Sequence, residues 1–221
     1  MSHKKKILQS ILDQGMLPLF YLDSLEASLE VVRTLYKAGI RALEYTNRGE
    51  KALENFAVLK KTAVAEMPGL WMGIGTVKTV KEAKSFIAAG ADFIVSPIVN
   101  PKVAVLTEKE GMLWIPGCMT PTEISVAQEY GAAVIKIFPA NILGPEFVQS
   151  IRELFNGQLF MPTGGVELDL ENIRSWFRAG VCAVGMGSRL IGKEILKNKD
   201  YDTLYKNTLK ALELVREGRQ V

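Results

Sequence analysis

The chain has 221 residues, 48% of them hydrophobic and 23% charged, with a net charge of +3. That balance is ordinary for a globular protein and too weakly basic to point to nucleic acid, and no basic stripe interleaved with aromatics occurs. A single histidine, His3, and two widely spaced cysteines, Cys118 and Cys182, exclude a Ser-His-Asp triad, a Cys-His pair and a His-rich metal site. No apolar run reaches the roughly 18 residues of a membrane span, and the N-terminus lacks the apolar centre of a signal peptide. The expectation is a cytoplasmic protein with reduced, inert thiols and neither membrane nor nucleic-acid partners.

Residues 4–14 place Ile7, Leu8, Ile11 and Leu12 at helical spacing, with Lys4-Lys5-Lys6 on a solvated face and Gly15 as a stop. A short apolar strand follows at 16–22, then a helix capped by Asp23 or Ser24 that runs to Ala38. Strand 42–46 leads into helix 50–66, strand 71–77 into helix 79–89, and strand 93–99 into helix 101–110. Strand 113–119 precedes helix 121–130, strand 134–140 precedes helix 145–155, and strand 159–163 precedes helix 169–179. Strand 183–187, a helix after Ser188 and a last helix over 201–216 complete the chain. The glycines of Ala38-Gly39-Ile40, Ala89-Gly90-Ala91 and Ala179-Gly180-Val181 supply the left-handed residue that ends a helix before the next strand. Eight β/α units, with one helix before and one after, predict a single α/β domain over residues 1–221. The expected fold is a closed (β/α)8 TIM barrel, and an open doubly wound sheet is the alternative.

Barrel active sites lie at the C-terminal ends of the strands. The polar residues expected there are Glu44, Thr46 and Arg48 on one face of strand 2, Thr76 after strand 3 and Ser96-Pro97 after strand 4. Lys136 and Phe138 follow from strand 6, Thr163-Gly164-Gly165 from strand 7 and Gly187-Ser188 from strand 8. Glu44 and Lys136 are the charges placed inside strands. A lone Lys in a strand usually snorkels, and a buried Glu-Lys pair can serve packing alone. A desolvated lysine also has a lowered pKa, so that its neutral amine can attack a ketone while a nearby carboxylate moves protons. Arg48 is either a surface arginine or a fork for a carboxylate. The glycine pairs are either turns or an anion site built of backbone N–H groups. Asp23 reads as a cap, and Cys118 as packing.

With these residues assembled, the sequence resembles the 2-keto-3-deoxy-6-phosphogluconate (KDPG) / 4-hydroxy-2-oxoglutarate (KHG) aldolase family. The resemblance rests on Gly-Ile-Arg-Ala-Leu-Glu-Tyr-Thr-Asn-Arg (39–48), Gly-Ile-Gly-Thr-Val (73–77), Ser-Pro (96–97) and Ile-Pro-Gly-Cys-Met-Thr-Pro (115–121). Lys-Ile-Phe-Pro-Ala (136–140) and Pro-Thr-Gly-Gly (162–165) complete it. It implies a homotrimeric class I aldolase with no metal or other cofactor, acting on a small keto-deoxy sugar acid, phosphorylated KDPG first. KHG and the galactonate-configured analogue are alternatives. Lys136 would be the Schiff-base lysine and Glu44 the general acid/base. Arg48 and Thr76 would hold the pyruvate carboxylate, and Pro97 and Phe138 would shape the pocket. Thr163, Gly164, Gly165, Gly187 and Ser188 would take the phosphate or other distal end. Tyr21, Asn47, Gly49, Asn141 and Arg189 depart from the better-known members, mostly around the distal half. More distant readings are a barrel phosphosugar isomerase or synthase, and a non-catalytic phosphosugar-binding barrel.

Overall fold

The computed structural model describes residues 2–220. Its strands are β1 (Met16–Phe20), β2 (Ala42–Thr46), β3 (Trp71–Gly75), β4 (Phe93–Val95), β5 (Leu113–Ile115), β6 (Gly117–Cys118), β7 (Val134–Ile137), β8 (Leu159–Pro162) and β9 (Val184–Met186). Its helices are α1 (His3–Gln14), α2 (Leu25–Lys37), α3 (Ala52–Glu66), α4 (Val80–Ala88) and α5 (Pro101–Lys109). They continue with α6 (Pro121–Glu129), α7 (Ala140–Ile151), α8 (Leu170–Arg178), α9 (Lys193–Lys197) and α10 (Tyr201–Gly218). All strand pairs are parallel, as β/α alternation requires. Among the described residues no helix is long and apolar enough to cross a membrane.

The helix ends follow local chemistry. Thr79 with Glu82, and Thr120 with Glu123, form capping boxes at α4 and α6, and Pro opens α5 and α6. Ser24, rather than Asp23, caps α2 by accepting from the Ala27 N–H. Lys4 of the basic run pairs with Glu108 at 2.7 Å.

The ladder differs from the expected closed ring of eight strands. Hydrogen bonds draw a six-stranded sheet in the order β5-β4-β3-β2-β1-β9, and a three-stranded sheet β6-β7-β8. The fifth strand is divided at Pro116, which has no N–H to give; its first part pairs with β4 and its second with β7. At the other junction a single bridge, Thr163 to Gly185, connects the arcs. Several strands are also shorter than their apolar runs, because Thr76, Pro97 and Pro139 turn the chain out of the sheet. The stretch 138–140 therefore leaves β7, and α7 starts at Ala140 with a break at Gly144 (φ 72°) before Pro145. The last helical residue there is Ile151, and turns take the place of the expected helix end at Phe155.

Side-chain alternation divides the interior into two layers. Leu43, Tyr45, Met72, Ile74, Ile135 and Ile137 belong to the larger core cluster, which includes residues of the surrounding helices. Residues of opposite parity, among them Leu17, Ala42, Phe93, Leu113, Val134 and Ala183, form a second cluster with Ile7 and Ile11 of α1. Helix α1 thus plugs the end at which the strands begin. Glu44, Thr46 and Lys136 share the second layer's parity and lie toward the other end.

Candidate active site

Glu44 and Lys136 are 1% and 4% exposed. A residue of ordinary size has no room to spare beside Glu44: a β-carbon on Gly75 would come 1.7 Å from Glu44 Oε1, and one on Gly73 would come 2.1 Å from the Phe93 ring. The Gly-Ile-Gly run of β3 therefore leaves the inner face open for a carboxylate and a phenyl ring supplied by its neighbours. Neither oxygen of Glu44 has a hydrogen-bond partner, so Lys136 does not donate to it. The two act on each other through space. Burial pushes the Glu44 carboxyl above its ordinary range, opposed by Lys136 and Arg48. Burial likewise pushes the Lys136 amine down, opposed by Glu44 and reinforced by Arg48. Both shifts favour the uncharged forms, as desolvation dictates.

Among the described residues five buried side-chain atoms lack a partner. Four of them, the two Glu44 oxygens and the hydroxyls of Thr46 and Thr163, lie at the C-terminal ends of β2 and β8. Trp176 Nε1 is the fifth. Because buried polar groups are rarely left unpaired, this clustering marks the end of the molecule built to receive a ligand.

A cavity of about 380 Å³ opens there, lined by Tyr21, Arg48, Phe138, Thr163, Gly164, Gly165, Gly187, Ser188, Arg189 and Lys193 among others. Seven of the residues anticipated from sequence line this one space. Lys136 lies next to it, its Nζ 5.0 Å from the centre of the Phe138 ring. Thr76 and Pro97 are half-buried and do not line the cavity. Thr76 has φ 63°, a conformation unfavourable for a threonine, at the end of β3. The Pro97 carbonyl packs on Gly117, where a β-carbon would come within 2.6 Å of its oxygen.

The glycine loop after β8 lies against Asn141, and Asn172 Nδ2 donates to its Gly165 carbonyl at 3.2 Å. Gly164 and Gly165 have φ of 97° and 74°. β-carbons there would come 3.0 Å from Asn141 Oδ1 and 2.9 Å from Asn141 Cα. The backbone N–H groups of Gly164, Gly165 and Ser188 donate to no backbone carbonyl among the described residues, and such free donors are the means of holding an anion. Lys193 adds a positive charge to the same wall, whereas Arg189 pairs with Glu167 at 3.0 Å.

Sequence reasoning passed over Lys193 and gave Tyr21, Asn141 and Arg189 no role. Asn141 and Lys193 lie in the first turns of α7 and α9, outside any strand pattern. Asn47 turns away from the cavity and donates to Glu82 of α4. Asp23 accepts a hydrogen bond from Tyr21. Burial pushes the thiols of Cys118 and Cys182 up to about 12, which keeps both unreactive. Among the described residues no group of three or more His, Cys, Asp or Glu is arranged to hold a metal. A larger groove of about 920 Å³ lies between α1 and α10 near the beginnings of the strands. It is lined by exposed ionic side chains and has no buried, charge-shifted pair.

A desolvated amine and a desolvated carboxylate that feel each other's charge, at the end of the strands where a cavity has free backbone donors, suit imine chemistry on an anionic carbonyl compound. Known proteins agree. The family model described as KDPG and KHG aldolase matches residues 7–207. A 2-dehydro-3-deoxy-phosphogluconate aldolase of Treponema pallidum is 37% identical over 155 residues, which is 70% of this chain and 72% of that protein. The KHG/KDPG aldolase of Escherichia coli K12 is 32% identical over 217 residues, covering 96% of this chain and 98% of its own. A KDPG aldolase from Legionella pneumophila, solved with pyruvate captured at low pH as a covalent carbinolamine, aligns with a TM-score of 0.83 at 26% identity, covering 95% and 97%. The residues matched include every strand and the whole candidate site, and the chain therefore belongs to the KDPG and KHG aldolase family.

Proposed function

We propose that this aldolase is a class I enzyme that cleaves KDPG to pyruvate and glyceraldehyde 3-phosphate. The Lys136 amine adds to the C2 ketone, giving a carbinolamine and then, with loss of water, an imine. Glu44, directly or through water, takes the C4 hydroxyl proton. The C3–C4 bond breaks, its electron pair passing into the iminium to form an enamine as the aldehyde departs. Protonation of the enamine at C3 and hydrolysis of the resulting imine release pyruvate and restore the amine.

Arg48 and Thr76 hold the pyruvate carboxylate, Pro97 and Phe138 shape that half of the pocket, and Thr163, Gly164, Gly165, Gly187 and Ser188 receive the distal phosphate. The observation that carries this reading is the buried pair itself. Glu44 and Lys136 are both shifted toward neutrality and share no hydrogen bond. The carboxylate's lone pairs are thus free for a substrate, and a fraction of the amine is free to attack.

In this reading the two arcs of strands are one (β/α)8 barrel wall, supported by the Thr163–Gly185 bridge and by the strand that spans both arcs at 113–118. The working form is a cytoplasmic homotrimer, which light scattering of the purified protein tests. The chemistry is tested by borohydride reduction in the presence of pyruvate, which is expected to fix a pyruvyl group on Lys136, located by peptide mass. An active protein with no adduct at Lys136 would falsify the mechanism.

A further inference from the structure

The phenol of Tyr21 is among the polar groups on the cavity wall that have no part in the reaction just described. It follows β1, the strand between β9 and β2 in the sheet order. Tyr21 therefore stands between the Gly187–Ser188 loop and Arg48, and lines the same cavity as both. Gly49 makes room for it: a β-carbon there would come 2.0 Å from the phenolic oxygen. Tyr45 supports the ring at 5.6 Å between centroids. The phenol commits its single hydrogen to a hydrogen bond with Asp23 Oδ1, which accepts at 2.5 Å. That bond, chiefly, pushes the Tyr21 pKa up to about 12, so the proton stays in place at neutral pH.

A hydroxyl whose only hydrogen is committed can do no more than accept with its remaining lone pairs. Toward a ligand, Tyr21 then favours O–H groups and disfavours carboxylates. The family's two substrates differ at the carbon beyond the bond that breaks. KDPG carries a hydroxyl on C5 ahead of its phosphate; KHG ends at C5 in a carboxylate with no hydrogen to give. We propose that Tyr21 is a specificity-determining residue that accepts a hydrogen bond from the C5 hydroxyl of the aldehyde half. Asp23 is the positioning residue that makes the phenol an acceptor. The site is thereby set for a polyhydroxylated keto acid over a 2-oxo diacid, an inference that rests on the aldolase reading.

The test is the ratio of kcat/KM for KDPG over KHG, measured on one preparation so that the fraction folded cancels. Loss of this bond in Tyr21→Phe is expected to lower the ratio about tenfold. Asp23→Ala lowers it as well, because the freed phenol can donate to the KHG carboxylate. Asp23→Asn, whose amide oxygen still accepts the phenolic proton, keeps the native ratio. An unchanged ratio in Tyr21→Phe, or equal ratios in Asp23→Ala and Asp23→Asn, overturns the proposal. If the native protein releases pyruvate from neither substrate, the aldolase reading itself falls and takes this inference with it.

Discussion

The two ends of the strands' inner face are built from the same alternation and serve opposite ends. Where the strands begin, Leu17, Ala42, Phe93, Leu113 and Val134 pack with Ile7 and Ile11 of α1, all fully buried. Each such apolar side chain stabilises the fold by about 1.5–3 kcal/mol. Where the strands end, the same parity presents Glu44, Thr46 and Lys136, and most of the unpartnered buried polar atoms collect there. Leaving such a group without a partner costs on the order of 1–3 kcal/mol. The closed end supplies stability that the open end spends on reactivity.

The contrast can be broken from either side. The largest effect is expected at the open end: Glu44→Gln keeps the shape beside Gly75 but removes the base, and kcat for pyruvate release should fall by about 10²–10⁴-fold. A variant with native kcat would remove Glu44 from the chemistry. At the closed end, Ile11→Ala opens a cavity under α1 and should lower unfolding stability in urea by about 2–5 kcal/mol. Its kcat per folded molecule should stay native, and a fall there as large as that of Glu44→Gln would erase the distinction between the two ends.

A smaller effect sharpens the comparison. Burial holds the Lys136 amine below the ordinary 10.5, so borohydride trapping with pyruvate should rise with pH to a midpoint below that value. In the window between the folded pKa and 10.5 the unfolded chain binds the extra proton, and Lys136 therefore makes stability increase with pH. Glu44 has the reverse sign: its raised pKa makes stability fall as pH rises from about 4.5 through its folded value. A trapping midpoint at or above 10.5 would show a lysine open to water. Replacing Lys136 with Met should abolish the first slope, as read from urea unfolding across pH.

Much of the candidate site was legible because β-parity is a local rule. Glu44, Thr46 and Arg48, or Lys136 and Phe138, share a face by spacing alone, and successive strand ends converge once β/α alternation makes the sheet parallel. The cap of α2 was narrowed to two neighbours, and only the folded geometry chose Ser24 over Asp23. Tyr21, Asn141 and Lys193 were harder to see because their positions depend on how the segments that follow β1, β7 and β9 turn toward one another.

The amino-acid sequence by itself determined the chain order of strands and helices, the inward parity of the two charges and the glycines that leave room for them. These depend on neighbours within a few residues, or on a period of two. Tertiary structure decided where the ladder divides at Pro116, how thinly β8 and β9 are bridged, and that Glu44 and Lys136 share a buried space without a hydrogen bond. It also decided that Tyr21 donates a hydrogen bond to Asp23 at the cavity wall. Each of these depends on contacts between distant segments, whose distances are set only when the layers pack.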